Sequence, residues 1–187
     1  MKKVALILAI VAGSFVAKAQ GPNAVKINVM SLAVSTYNIS YERSISDNIS
    51  VQLLGAYMGA KIGDFKTTGT VISPSLRLYL GDEDPELKGW YVAPLLRYDK
   101  LTYDATLTSL TTTTSTVETS FTSFGGGVDF GRQWVTGGGF VIDWFIGFRY
   151  AAGKTTIDGD FEEEDISETV GYEGIIPRLG LKLGYSF

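Results

Sequence analysis

The acidic segment between positions 158 and 168 is the clearest place in this sequence where side chains could do chemistry. Seven carboxylates fall within it, and Asp158, Asp160 and Glu162 alternate in the manner of oxygen ligands around a hard cation. Position 163 is Glu, whereas a calcium-binding EF-hand loop needs glycine there. Two interpretations stay open. One is a weak calcium or magnesium site, and the favoured one is a solvated loop, because runs of charge are usually solvated.

Histidine and cysteine are both absent from the chain. Acid–base catalysis near neutral pH usually relies on histidine, and histidine and cysteine are also the usual zinc ligands. The glycine runs at 125–127 and 137–139 are not followed by Gly-Lys-Ser/Thr, so neither is a phosphate-binding loop. We therefore expect no enzymatic activity and no cofactor.

Nine charged residues lie in segments where they occupy one set of alternate positions and apolar residues occupy the other. They are Lys26, Glu42, Arg77, Arg97, Asp129, Asp143, Arg149, Arg178 and Lys182. Alternation of this kind places the charges on one face of a sheet and the apolar residues on the other. Buried charges are costly unless they are paired. We therefore predict a network in which three carboxylates are the partners of three arginines: Glu42, Asp129 and Asp143 with Arg77, Arg97 and Arg149.

The elements that must position these charges are eight segments with a period of two, near 25–30, 37–43, 49–58, 72–80, 90–103, 121–135, 140–151 and 170–187. The links at 46–48, 81–88 and 136–139 are short, and those near 60–71, 105–120 and 153–168 are long. An even number of strands with short turns on one side and long loops on the other is typical of outer-membrane barrels. The pattern predicts an all-β fold, an eight-stranded antiparallel transmembrane β-barrel.

A barrel of eight strands is narrow enough for side chains to fill its interior. A packed charged lumen is therefore favoured over the alternative, a water-filled selective pore. The Thr/Ser tract at 106–120 is either a flexible loop or an extended β-ribbon, since β-branched residues favour strands. Pro94 cannot donate to a strand ladder and predicts a bulge or a gap in the fifth strand. Aromatic residues at both ends of the strands predict two interfacial girdles. The predicted members are Trp90, Trp134, Phe140, Tyr185 and Phe187 on the periplasmic side, and Tyr57, Tyr103, Phe121 and Tyr150 near the other rim.

The N-terminal segment 1–19 reads as a secretory signal peptide, with Lys2 and Lys3 before an apolar run and Ala17-Lys18-Ala19 at its end. The run from Val4 to Ala17 has 14 residues, fewer than the ~20 that a membrane-spanning helix needs. The domain boundaries are therefore 1–19 for the signal peptide and 20–187 for the barrel. Without the leader the net charge is −7, which disfavours nucleic acid as a partner.

The last strand, Leu179 to Phe187, alternates strictly and ends in two aromatics on its apolar face. Together with the leader, the eight segments and the charged parity, it resembles small Gram-negative outer-membrane barrels of the OmpX, OmpW and OmpA membrane-domain types. Lys26-Ile27-Asn28 and Tyr41-Glu42-Arg43 resemble more particularly OmpX-like barrels of Bacteroidetes-type bacteria. The resemblance implies that the outer-membrane insertion machinery recognises the terminal strand through Gly180, Leu183, Tyr185 and Phe187. It implies no catalytic residues and, unlike in OmpA, no peptidoglycan-binding domain.

These observations predict an exported, monomeric outer-membrane protein with a structural or surface-interaction role and exposed extracellular loops. Its expected partners are outer-membrane lipids, lipopolysaccharide, whose phosphates a cation at the acidic segment could bridge, and the insertion machinery. One alternative is a small pore or carrier for small or apolar solutes. Another is an exported soluble lipocalin-like barrel, although such a barrel would carry its apolar residues inside.

Overall fold

In a computed structural model of the chain, residues 21–33, 35–62, 65–81, 87–108, 114–161 and 164–187 are described. They form the elements β1 (Asn23–Asn28), α1 (Val29–Leu32), β2 (Thr36–Ser46), β3 (Ile49–Ile62), β4 (Phe65–Leu80), β5 (Gly89–Thr108), β6 (Thr114–Val135), β7 (Phe140–Phe161) and β8 (Glu164–Ser186). Each strand pairs with its neighbour in sequence, and β8 pairs back with β1, so the sheet closes. The predicted eight-stranded antiparallel barrel is confirmed. The predicted signal peptide lies outside the described residues.

The side chains alternate between the interior and the outer surface along every strand of the barrel. In β7, Val141, Asp143 and Phe145 are buried, whereas Ile146 and Phe148 expose more than half of their surface. In β4, Arg77 is buried between two exposed leucines, as its parity predicts. The outer surface of the barrel thus carries many large apolar side chains, and buried charged side chains such as Arg77 and Asp143 lie in the interior. No helix in the described ranges is long and apolar enough to cross a membrane.

Strands β5 to β8 are much longer than the sequence predicts. β5 to β8 have between 20 and 23 residues each, whereas β1 has 6. The prediction of long loops near 60–71, 105–120 and 153–168 is wrong, because the described residues of these segments mostly belong to paired strands. For the Thr/Ser tract, the ribbon alternative is the observed one, with Thr108 opposite Thr114. Threonine favours extended backbone even where it faces water, and hydropathy alone did not reveal this.

The barrel has two distinct ends. The near end contains Asn23 and Phe187, the short links at 47–48 and 136–139, and the described residues Gly81, Leu87 and Lys88 of the link between β4 and β5. The backbones of Asn23 and Phe187 exchange two hydrogen bonds of 2.8 and 3.2 Å. The far end contains α1 and the three long hairpins. The predicted alternation of short and long connections therefore survives as an alternation of short turns and long β-hairpins.

The first strand ends earlier than predicted, at Asn28 rather than Met30. The Asn28 side chain accepts a hydrogen bond from the Met30 amide and caps the single turn of α1, which favours helical backbone after this position. The interruption predicted at Pro94 is present as a gap in the ladder between β4 and β5. Backbone partners are regular up to Ile72 and Tyr98 but sparse around Pro74 and Pro94.

The aromatic girdles are only partly as expected. Trp90 stacks on Phe130 and meets Trp144 edge-on at the near end of the outer surface. At the far end, Tyr57 and Tyr150 are on the outer surface. Tyr103 and Phe121 share the parity of lumen-facing residues in β5 and β6, so assigning them to the outer girdle was wrong.

Glycines in β6 leave room inside the barrel for bulky neighbours. Tyr91 of β5 is fully buried and pairs across the ladder with Gly131. A Cβ atom at position 131 would lie 2.4 Å from the Trp144 carbonyl oxygen and 2.5 Å from the Tyr91 hydroxyl oxygen. These distances are too short for real contacts, so both the backbone of β7 and the Tyr91 side chain require glycine at this position.

We predict that Gly131→Ala destabilises the folded barrel by about 1–3 kcal/mol, the usual cost of overpacking a filled interior. The matched control is Gly55→Ala in β3, where an added Cβ meets no atom within 4 Å and should change stability by less than about 0.5 kcal/mol. Urea unfolding in lipid vesicles, followed by tryptophan fluorescence, measures both. Equal stabilities for the two variants would contradict this account of Gly131.

Candidate functional site

The centre of the site is a buried layer of five charged side chains and one glutamine, close to the near end of the lumen. We call it the ionic layer, and it consists of Lys26, Glu42, Arg77, Gln133, Asp143 and Lys182. Arg77 Nη2 lies 2.8 Å from Asp143 Oδ2, and its Nη1 lies 3.3 Å from Glu42 Oε2. Lys26 Nζ donates to Glu42, to Gln133 Oε1 at 2.6 Å and to Asp143 at 3.0 Å. Arg77 and Lys26 therefore each contact both carboxylates, and Lys182 lies 3.9 Å from Asp143.

The closed sheet brings these residues together from distant parts of the chain. Lys26 and Asp143 are 117 positions apart, yet each has the inward parity of its strand, and both strands pair with β8. Lys182, on β8 between them, is backbone-paired with both Asn28 and Asp143. Parity in each strand and register between strands thus suffice to assemble the layer.

Neutral donors complete the hydrogen bonds of the two carboxylates. The Tyr79 hydroxyl donates to Glu42 Oε1 at 2.8 Å, and the Tyr91 hydroxyl donates to Asp143 Oδ1 at 2.6 Å. Ser50 also donates to Glu42. Both carboxylates are fully buried, so a missing partner would leave a charge uncompensated in a medium of low dielectric constant.

Below the ionic layer, Leu87 closes the near end of the lumen. It belongs to the link between β4 and β5, is buried, and packs with Ala24 and Val141. Its φ of 54° is in the left-handed region, which leucine rarely adopts, and Gln133 Nε2 donates to its carbonyl oxygen at 2.6 Å. An apolar plug held to the ionic layer therefore blocks the near end.

A second group of charges lies farther along the lumen and contains Arg97, Asp99, Asp129, Arg149 and Arg178. Asp99 accepts contacts from two arginines, each at 2.7 Å: Arg97 Nη2 and Arg149 Nη1. Asp129 is held by Arg178 in a two-point contact of 2.9 and 3.0 Å. This second cluster has three cations and two carboxylates.

All six residues of the predicted lumen network lie on the inner side of the barrel, but they form two clusters with partly different pairs. Only Arg77 has the predicted partners. Arg97 and Arg149 pair with Asp99, and Asp129 pairs with Arg178, so those predicted pairings were wrong. The parity of Asp99 and Arg178 was readable from sequence, but the height of each residue depends on strand register, which alternation does not reveal.

Some residues of the site are uncharged, and the prediction from charged residues did not include them. Gln133, Tyr91 and Leu87 line or close the lumen without being part of the predicted network. The inward parity of Gln133 and Tyr91 was a usable indication. Nothing in the sequence of the link after Leu80 indicated that Leu87 would turn into the barrel.

The possible cation site at Asp158, Asp160 and Glu162 stays a prediction. Asp158 and Asp160 lie in β7, with backbone partners Ser167 and Asp165 in β8, and Glu162 lies outside the described residues. The expected solvated loop is therefore, where described, a β-hairpin. Within the described ranges, no group of three acidic side chains is arranged to hold a metal ion.

The four residues of the predicted insertion signal all lie in or next to the paired part of β8. Leu183 and Tyr185 pair with β1 on one side and with β7 on the other. Gly180 is buried beside Phe145, and the Phe187 amide donates to the Asn23 carbonyl. These residues thus form the seam at which the barrel closes, and their recognition by an insertion machinery stays a prediction.

Charge balance in the ionic layer predicts unequal costs for two substitutions. Asp143→Asn would leave three cations with one carboxylate and should destabilise the barrel by about 3–5 kcal/mol. Lys182→Met removes the surplus cation, whose Nζ lies 3.9 Å from Asp143, and should cost less than about 1.5 kcal/mol. Urea titration of both variants in vesicles measures the difference. A larger cost for Lys182→Met would refute this reading of the layer.

Comparison with known protein families identifies the family to which this chain belongs. Residues 5–171 match the family model described as "Protein of unknown function (DUF3575)". No curated protein and no solved structure matches the chain. The match and the closed eight-stranded barrel fit a small barrel of the outer-membrane type. Since the match covers most of the chain, the protein belongs to the DUF3575 family.

Proposed function

We propose that this protein is an integral outer-membrane barrel with a closed lumen and a surface-interaction role at its far end. The observation that carries the proposal is the apolar outer surface. Large apolar side chains such as Ile72, Ile146 and Leu179 each expose more than half of their surface. Soluble monomers rarely expose a contiguous apolar patch of such extent, whereas lipid would cover it.

The near end of the outer surface supports the same location. Trp90 and Trp134 flank Arg132, whose guanidinium lies 5.2 Å from the centroid of each ring. Tryptophan and arginine together are typical of the boundary between hydrocarbon and polar headgroups. With the predicted leader, this arrangement supports an orientation in which the near end faces the periplasm and the far end faces the outside of the cell. Lipids and lipopolysaccharide would then surround a monomer.

We further propose that this protein is related to OmpX-like barrels of Bacteroidetes-type bacteria. The two segments that resemble them, Lys26-Ile27-Asn28 and Tyr41-Glu42-Arg43, are neighbours in β1 and β2. Lys26 and Glu42 form an ion pair within the lumen. The resemblance therefore involves residues that build the interior of the barrel, which supports a shared architecture rather than a shared ligand.

The far end supports a role in interaction rather than in structure alone. β5 to β8 continue beyond the short strands β1 and β2, and β8 pairs with β1 only over 182–186 in the described part of the chain. One edge of the extended β8 therefore offers unpaired backbone groups. Such edges accept added strands from other proteins. We propose that this projecting sheet replaces the expected extracellular loops as the interaction surface.

The alternative function, a pore or carrier across the membrane, is less well supported. Leu87, the ionic layer and Tyr91 occupy the near end of the lumen with fully or almost fully buried side chains. The proposal also includes no catalysis, since histidine and cysteine are absent from the sequence.

The location is tested by cell fractionation and by gel mobility with and without heating. We expect the protein in the outer-membrane fraction, with a folded band that shifts on boiling, because a closed strand ladder resists detergent until it is heated. Recovery in the soluble periplasmic fraction without such a shift would favour the lipocalin-like alternative and overturn the proposal.

Closure of the lumen is tested by planar-bilayer recording and liposome swelling with small sugars. We expect no steady single-channel current and no swelling beyond that of protein-free vesicles, because the buried plug and ionic layer occupy the near end of the lumen. A large, steady conductance would contradict the closed lumen and favour the pore.

A further inference from the structure

A cavity of about 410 Å³ lies between the second charge cluster and the seam of the barrel wall. Its size is within the range of small-molecule sites in proteins, roughly 300–1,000 Å³. Leu54, Ala56 and Met58 of β3 line one side, and Phe145 of β7 lies at its floor toward the ionic layer. The cavity is thus apolar over much of its lining.

Three arginines line the same cavity: Arg97, Arg149 and Arg178. Arg178 is matched by Asp129, but Arg97 and Arg149 share the single carboxylate of Asp99. The cluster therefore has one surplus positive charge among the described residues. Arg149 is 6 % exposed, and its Nη1 lies 2.7 Å from Asp99 Oδ2, an oxygen of the carboxylate that Arg97 also contacts. A buried cation without a carboxylate of its own is costly, and a bound anion would balance it.

The cavity reaches the outer surface through the barrel wall. β1 ends at Asn28 opposite Lys182, so β8 from 176 to 179 has no strand partner on that side in the described chain. Pro177 and Leu179, which face outward, line the cavity together with Arg178, which faces the lumen. The strand ladder is therefore interrupted between this part of β8 and the beginning of β2, where α1 packs against both strands.

The border of this interruption is polar and rigid. The Asn38 side chain accepts from the Asn28 amide at 2.8 Å and donates to Ser31 Oγ at 2.5 Å. Ser31 Oγ in turn donates to the Asn28 carbonyl at 2.8 Å. These bonds hold α1 against β2, so the gap is a built feature of the seam.

We infer that this cavity binds a single-chain amphiphile with an anionic head, which enters sideways from the surrounding lipid. The head would lie at Arg149 and Arg97, where it supplies the missing negative charge, and the acyl chain would lie along Leu54, Ala56 and Leu179. The ionic layer and Leu87 close the lumen below the cavity, so the site binds without transport. The inference rests on the membrane location proposed above.

The test uses the full mature protein in lipid nanodiscs with dodecanoate that carries a photoreactive diazirine on its chain. After illumination, peptide mass spectrometry locates the label. We expect label in β3 around Ala56 and in β8 around Leu179, reduced by excess dodecanoate or dodecyl phosphate and not by dodecanol. The relative strength of the first two competitors distinguishes a fatty acid from a lipid phosphate as the source of the head group.

Two variants and a matched control make the test specific. Arg149→Gln leaves Arg97 balanced by Asp99 and should weaken competition by dodecanoate about tenfold or more, as expected for the loss of a charged hydrogen bond. Lys154→Gln removes an exposed cation from the same strand and should change nothing. Ala56→Trp fills the cavity without changing its charges and should abolish the specific label even if Arg149→Gln fails to fold.

Label spread evenly over the apolar outer surface, and equal in all variants, would overturn the inference, as would equal competition by dodecanol. Recovery of a folded, heat-modifiable protein in nanodiscs is scored separately. Its failure would count against the proposed membrane location, whereas normal insertion without specific label would count against the binding site alone.

Discussion

The pairing of Glu42 and Asp143 with Arg77 and Lys26 is the interaction on which the barrel depends. A closed sheet of eight strands must fill its own interior, and here it does so with charges that are almost completely buried. Such charges cost several kcal/mol each when unpaired. Strand register, the glycine at position 131 and the tyrosine hydroxyls can all be understood as conditions that let these pairs form.

The same constraint explains why the lumen changes along its length. At the near end, the buried Leu87 packs with Ala24 and Val141 as an apolar plug next to the ionic layer. Toward the far end β1 is missing, since Asn28 begins a helical turn, and the strand ladder is interrupted beside the cluster in which Arg97 and Arg149 share Asp99. The plug and the interruption therefore depend on Leu87 and on α1.

Much of the fold was predictable because alternation is a local property of the chain. The parity of Arg77 between Leu76 and Leu78, or of Asp143 between Ile142 and Trp144, sufficed to assign each to the lumen. Strand length was less predictable. The sequence leaves the Thr/Ser tract open between a loop and a β-ribbon and favours a solvated loop for the acidic segment, whereas the backbone at Thr108 and Asp158 is paired. Polarity indicates exposure to water, but it does not distinguish a loop from a strand that projects beyond lipid.

The sequence by itself determined the class of fold, the apolar outside, the charged inside and the seam-forming last strand, because each follows from the period of two within single strands. Only the tertiary structure decided which charges meet. Asp99 serves both Arg97 and Arg149, and Asp129 is held by Arg178, because register sets the height of each residue in the lumen. The burial of Leu87 and the interruption of the ladder beside Leu179 likewise arise from contacts between segments far apart in the chain, which no local pattern encodes.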